Sequence, residues 1–330
     1  MAFWGDIIGQ DRIKDYYQKV LINGNVSHAY IIEGERGAQR EQIAEVIAKT
    51  LQCENRIVDG DRCEPCGKCR ACKQADAMSH MDIIHVTHEK PNTISSSEVR
   101  QQICGDVDIK PYSGNYKVYI INDADKLEIT AQNALLKTLE EPPNYVVILL
   151  LVSNQSTLLE TILSRVVLLR LQPVDGEVIA NYLRKELRVD EDKINLFVAY
   201  ARGDVGRAKQ IAQDEKLEGA IKKMIKLLIT IKEVEVMALD IINSYEIDIN
   251  EFLDMITIWY RDVLMFKATN DVNSLVFKDE FQAIKKMADM SAYEGIENIN
   301  NAIENARKRL EAKVDEELTI RLLLLAIREN

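Results

Sequence analysis

The sequence has no surplus of basic residues to lay along a nucleic acid. Lysine and arginine number 42 against 53 aspartates and glutamates, for a net charge of −11 and a pI near 5.1. A chain of that sign does not coat itself on a polyanion, so contact with DNA has to be local or supplied by a partner. Long apolar runs are missing as well. The longest, Tyr145 to Val152, is too short to span a bilayer. The opening residues, Met1-Ala2-Phe3-Trp4-Gly5-Asp6, have neither the basic nor the apolar region of a secretory leader, so a cytoplasmic protein is expected. No internal repeat and no low-complexity segment is found.

What is present is enough apolar material for two or three domains, 47% of 330 residues. Six cysteines in a chain of this kind point to a metal or to buried thiols more than to disulfides. Five of them fall between Cys53 and Cys72. Thiolates at Cys66, Cys69 and Cys72 are spaced to clamp one tetrahedral ion, with Cys53 as the fourth ligand and Cys63 as its competitor. Four sulfurs leave no open position, so the expected ion is a structural zinc. Cys104 falls on an apolar helix face and is expected in the core. His80, His85 and His88 have no acidic or cysteine partner at ligand spacing, and no second metal site is read from them.

The stretch from His28 to Leu51 organises the rest. A short apolar run meets a glycine turn at Gly34 and Gly37, then a helix with Ile43, Val46, Ile47 and Leu51 on one face. This is the frame of a phosphate-binding loop, which should close on Gly-Lys-Ser/Thr. Here those places read Gln39, Arg40 and Glu41. Gln39 carries a Cβ where glycine lets the backbone approach phosphate, and Arg40 is a planar fork where lysine is a point charge. Glu41 puts a carboxylate where a hydroxyl should meet Mg²⁺. Two like charges ~4 Å apart at an effective dielectric near 20 cost about 4 kcal/mol. The second half of such a site is degraded too. The strand Lys117 to Ile121 ends in Asn122 and Asp123, where an ATPase places its Mg²⁺ aspartate and its water-activating glutamate. ATP is not expected to bind or turn over productively.

Further along, Asp82 to Val86 alternates as a strand and Ser95-Ser96-Ser97-Glu98 opens a helix as a capping box. A helix from Thr130 to Leu139 stops at Pro142-Pro143, and strands follow at Tyr145 to Val152 and Val166 to Leu171. The first helix is expected from Ile7 to Leu21, ending at Gly24. Strands alternating with helices, several uniformly apolar, predict a mostly parallel sheet covered on both faces. Gln172-Pro173 closes this α/β domain, residues 1–172, with its insertion at about 53–75. A three-helix unit (173–212) and a helical remainder (213–330) follow, with helices Leu217 to Ile231, Ile249 to Lys267, Tyr293 to Lys313 and Glu316 to Arg328.

The run Asn133-Ala134-Leu135-Leu136-Lys137-Thr138-Leu139-Glu140-Glu141-Pro142-Pro143 resembles the signature of bacterial clamp-loader subunits of the AAA+ superfamily. Asp6-Ile7-Ile8-Gly9-Gln10, His28-Ala29-Tyr30, the cysteine insertion and Thr161-Ile162-Leu163-Ser164-Arg165 are similar to that family too. The likeness is specific to about Leu171 and weak beyond. It implies an AAA+ domain, a lid and a C-terminal collar. It places the chain on the non-motor branch, in a ring with the gamma and tau motor subunits and delta, loading the sliding clamp onto primed DNA within the DNA polymerase III holoenzyme. DNA-directed polymerase activity would belong to that complex. The family's Ser-Arg-Cys motif reads Ser164-Arg165-Val166 here, which implies that Arg165 reaches a neighbour's ATP site. Arg207 matches the lid's sensor arginine and is read as structural first. Two other readings compete. A self-sufficient ATPase needs nucleotide to bind despite Arg40 and Glu41. A zinc-dependent nucleic-acid module needs a basic, aromatic patch that Cys53 to Cys72 lacks.

Overall fold

The computed structural model describes residues 3–34, 39–214 and 249–330, with isolated positions between 219 and 229. Gly37 and all but a few positions of the helix expected at Leu217 to Ile231 lie outside them. The chain divides into two compact units, residues 1–178 with 203–206, and residues 179–202 with 207–330.

The first unit is built on β1 (Ala29–Glu33), β4 (Ile83–His85), β5 (Lys117–Ile121), β6 (Val146–Val152) and β7 (Val167–Arg170). They pair in the order β4-β5-β6-β1-β7, every pair parallel. Every residue of β5 and β6 is buried, which their near-continuous apolar sequence requires of a sheet covered on both sides. Alternate residues go to opposite faces. Tyr30, Ile32, Val118, Ile120, Leu149 and Leu151 join Tyr17 of α1 (Asp11–Asn23) and Ile43, Val46 and Ile47 of α2 (Arg40–Gln52). Ile31, Tyr119, Ile121, Ile148 and Leu150 join Leu135 and Leu139 of α5 (Ile129–Glu140).

The first helix starts at Asp11, not at Ile7. Gly9 and Gln10 have φ of +66° and +59°, a left-handed pair that cannot sit inside a right-handed helix. Residues Trp4–Asp6 form a separate single turn, and Gly24 ends α1 at φ +70°. The capping box forms: Ser95 Oγ accepts the Glu98 N–H, and the Glu98 carboxylate accepts the Ser95 N–H. It opens α4 (Ser96–Val99), which widens into a π turn over Arg100–Cys104. Cys104 is half-buried against the core, its thiol donating to the Ala134 carbonyl at 3.5 Å.

The second unit holds most of α7 (Gly176–Lys185), α8 (Glu191–Ala201) and α9 (Val205–Gln213). It also holds α10 (Ile249–Thr269), α11 (Phe281–Met290), α12 (Tyr293–Glu311) and α13 (Glu316–Glu329). The expected helices at 249, 293 and 316 thus begin where they were placed, and α11 was not foreseen. Along α10, Phe252, Leu253, Ile256, Trp259, Tyr260 and Val263 are all fully buried. Among the described residues no helix is long and apolar enough to cross a membrane.

Candidate functional site

The carboxyl ends of β1, β5 and β6 meet the start of α2, the place where an open parallel sheet receives a phosphate. Gly34 follows β1, Asn122 and Asp123 follow β5, and Ser153 follows β6. In the middle lies Arg40, the first residue of α2, with its side chain fully buried. Its Nη2 donates to Asp123 Oδ1 at 2.9 Å and its Nε to Glu41 Oε1 at 3.0 Å. Its Nη1 donates to the Gly34 carbonyl at 3.2 Å and to Ser153 Oγ at 3.1 Å. Three of the departures from a working loop, Arg40, Glu41 and Asp123, are therefore partners of one another. Arg40 stands where the motif has its lysine, and Glu41 and Asp123 supply its counter-charges.

Asp123 holds a left-handed backbone, φ +49°, and its other oxygen accepts from Lys126 at 3.0 Å. Asn122 is exposed and stands beside this network. Gln39 keeps the left-handed φ, +64°, that a glycine would take without strain. Its amide is spent on the N-terminal segment, accepting from the Ile8 N–H at 2.9 Å and donating to the Ile8 carbonyl at 3.0 Å. An incoming phosphate at this edge would have to displace a buried guanidinium and would then face Glu41 and an Asp123 whose remaining counter-charge is Lys126.

A second construction lies in the insertion. Residues β2 (Ile57–Asp59) and β3 (Arg62–Glu64) pair as an antiparallel hairpin, and α3 (Arg70–Asp76) follows. The Sγ atoms of Cys53, Cys66, Cys69 and Cys72 lie within 4.8 Å of one another. A tetrahedral Zn–S₄ site with bonds near 2.3 Å sets its sulfurs about 3.8 Å apart, so the four could hold zinc with small adjustments. Backbone N–H groups already point at the sulfurs: Cys66 N–H to Cys53, Cys69 N–H to Cys66 and Cys72 N–H to Cys69, at 3.2 to 3.4 Å. The Lys68 and Cys69 N–H groups hold the Cys66 thiol down at about 6. Cys63, the competing ligand, is turned away: its side chain is 1% exposed within the apolar cluster that includes Trp4, Leu21 and Leu51.

The histidines do not converge. His80 is buried, its Nδ1 accepting the Asp82 N–H at 3.1 Å, and the His88 ring bonds the Lys90 carbonyl at 2.6 Å. Burial holds the His85 pKa below its ordinary value.

Arg165 stands elsewhere, after α6 (Glu160–Leu163), with 35% of its side chain exposed. Its Nη2 pairs with Glu140 Oε1 at 2.8 Å, and its Nη1 donates to the Thr161 carbonyl and Ser164 Oγ. Sequence reasoning passed over the residue that organises this corner. Gln132, buried on α5, donates to the carbonyls of Leu127 and Thr157 and accepts the Leu159 N–H at 2.8 Å. A polar residue amid the apolar positions of α5 was the available signal.

Arg207 belongs to the second unit, on α9. Its Nη2 meets Asp254 Oδ2 at 2.6 Å, and Arg202 and Arg307 meet Asp254 Oδ1 at 2.6 and 2.7 Å. Burial pushes the Asp254 carboxyl up, and the guanidiniums of Arg207, Arg307 and Arg202 more than offset it, leaving it below the usual carboxylate value.

Together these features define a P-loop-type α/β domain with a buried arginine at the start of its loop helix and an insertion after that helix that brings four cysteines together. A family model described as DNA polymerase III, delta subunit matches residues 9–175, and one for the C-terminal part of that subunit matches 220–329. The chain belongs to this DNA polymerase III delta-subunit family. It is similar to subunit delta' of DNA polymerase III from Bacillus subtilis, 28% identical over 331 residues that cover 97% of each chain. The tau subunit of the same organism is 34% identical over 203 residues, which are 60% of this chain and 35% of tau. A Thermotoga maritima structure of a gamma-subunit-related protein aligns over 96% of this chain and 99% of its own, at 18% identity and a TM-score of 0.46.

Proposed function

We propose that this chain is the non-catalytic delta-prime subunit of a clamp loader, a fixed member of a ring with gamma or tau motor subunits and delta. The ring would load a sliding clamp onto primed DNA as part of the DNA polymerase III holoenzyme. The observation that carries this reading is Arg40. A buried arginine bonded to Gly34, Glu41, Asp123 and Ser153 supports a site of the chain's own that does not take ATP productively. Its contribution to hydrolysis is Arg165, an arginine finger acting in trans on a neighbour's γ-phosphate. Such a guanidinium stabilises transition-state charge and can be worth roughly 10³ to 10⁵ in rate. The exposed setting of Arg165 and the negative balance of the chain fit a protein that works through partners and leaves DNA contact to the assembled ring.

Cys53, Cys66, Cys69 and Cys72 would hold a structural zinc that fixes the hairpin on the end of α2. A three-part division, AAA+ domain to 172, lid to 212 and collar to 330, is part of the same reading.

The test is ATP hydrolysis by a reconstituted loader containing this chain. Arg165→Ala is expected to reduce turnover at least tenfold with the ring still assembled. Unchanged turnover would remove the trans role.

A further inference from the structure

We infer that Glu140 is a positioning residue for Arg165, and that it sets how strongly this chain activates its neighbour. The inference deepens the arginine-finger reading and rests on it. Helix α5 ends at Glu140 because Pro142 and Pro143 cannot continue it, and Glu141 has already left helical geometry at φ −126°, ψ 61°. This brings the Glu140 carboxylate against the turn that follows α6, 2.8 Å from Arg165 Nη2.

The bonding leaves one side of the guanidinium open. Both Nη1 hydrogens are used, on the Thr161 carbonyl at 2.8 Å and Ser164 Oγ at 3.1 Å. Glu140 faces Nη2 as an ion-pair partner at 2.8 Å, and Nε has no partner among the described residues. Nε lies on an edge of the planar group that can meet a phosphate side-on. Two hydrogen bonds and one ion pair therefore restrain the group and leave Nε without a partner among the described residues. The elements behind them are tied as well, since Gln132 joins the first turn of α5 to the loop before α6. A guanidinium on a long flexible stem otherwise spreads over many rotamers, and a misaimed finger loses transition-state contact.

A purely structural pair would behave differently. Glu140 is 49% exposed and its partner 35%, so the pair adds little to folding. A carboxylate in the last turn of α5 also opposes the helix dipole, which makes its removal benign for the helix.

The experiment is a double-mutant cycle in the assembled loader, reading the kcat of ATP hydrolysis beside the melting temperature of the isolated chain. Glu140→Ala is expected to lower kcat about tenfold with the melting temperature unmoved, and Glu140→Gln, which keeps an acceptor, to recover most of it. On an Arg165→Ala background, Glu140→Ala is expected to change nothing further. If Arg165→Ala alone has no effect, the trans reading itself fails. If Arg165→Ala lowers kcat while Glu140→Ala leaves it unchanged, raises it, or subtracts independently, the positioning role is overturned and the trans role stands.

Discussion

Arg40 turns a list of defects into a single device. A guanidinium shut away from water is costly unless its donors are met, and four acceptors meet this one. Removing it would leave Asp123 short of its main counter-charge, and Arg40→Ala is expected to cost about 3 kcal/mol of unfolding free energy in a denaturant titration. Arg40→Lys should recover only part of that, because a point charge cannot serve four acceptors spread around a plane. Asp82 offers a pH test. Burial pushes its carboxyl up, but N–H donors from Tyr112, Ser113 and Gly114 and the Ser113 hydroxyl win, and it sits below the usual value. A lowered folded pKa contributes stability above the unfolded value, near 3.9, that is lost as pH falls through the folded one. Asp82→Asn should therefore be less stable than the parent at pH 7, with the gap closing below about pH 4.

Elements show which physics could be read in advance. The sheet was legible because β5 and β6 are apolar at every position, a pattern that only two-sided burial explains. The degraded nucleotide motifs were legible as substitutions. Their mutual bonding was not, since Arg40 and Asp123 lie on elements that only the fold brings together. The onset of α1 was misplaced because Gln10 takes a left-handed backbone that side-chain periodicity does not register. The cysteine cluster was legible from spacing up to the choice between Cys53 and Cys63. That choice depends on the β2–β3 hairpin, which turns Cys63 into the core and leaves Cys53 beside the other three sulfurs. Cys53→Ser is accordingly expected to abolish binding of one zinc per chain by elemental analysis, and Cys63→Ser to keep it.

Asp254 is the corresponding anchor among the helices. Arg202 and Arg207, from the ends of α8 and α9, and Arg307, from α12, all reach this one residue on α10. Asp254→Ala should leave three guanidiniums without their shared partner and raise amide exchange across Val205–Gln213, with the exchange of β5 and β6 unchanged. A loss confined to α10 would contradict that coupling.

At the scale of the whole molecule, the chain keeps a five-stranded parallel sheet with helices and, under the proposed reading, would fill a nucleotide's place with its own charges. Under the proposed reading, the acidic balance and the partly exposed Arg165 suit a protein whose chemistry would be completed by neighbours. The direct test is equilibrium binding of ATP with Mg²⁺ to the purified chain, with hydrolysis followed in the same sample. No saturable binding up to millimolar ATP is the expected result. Tight binding with turnover would mean that Arg40 swings out of its four-acceptor nest, and the chain would then have to be read as a motor.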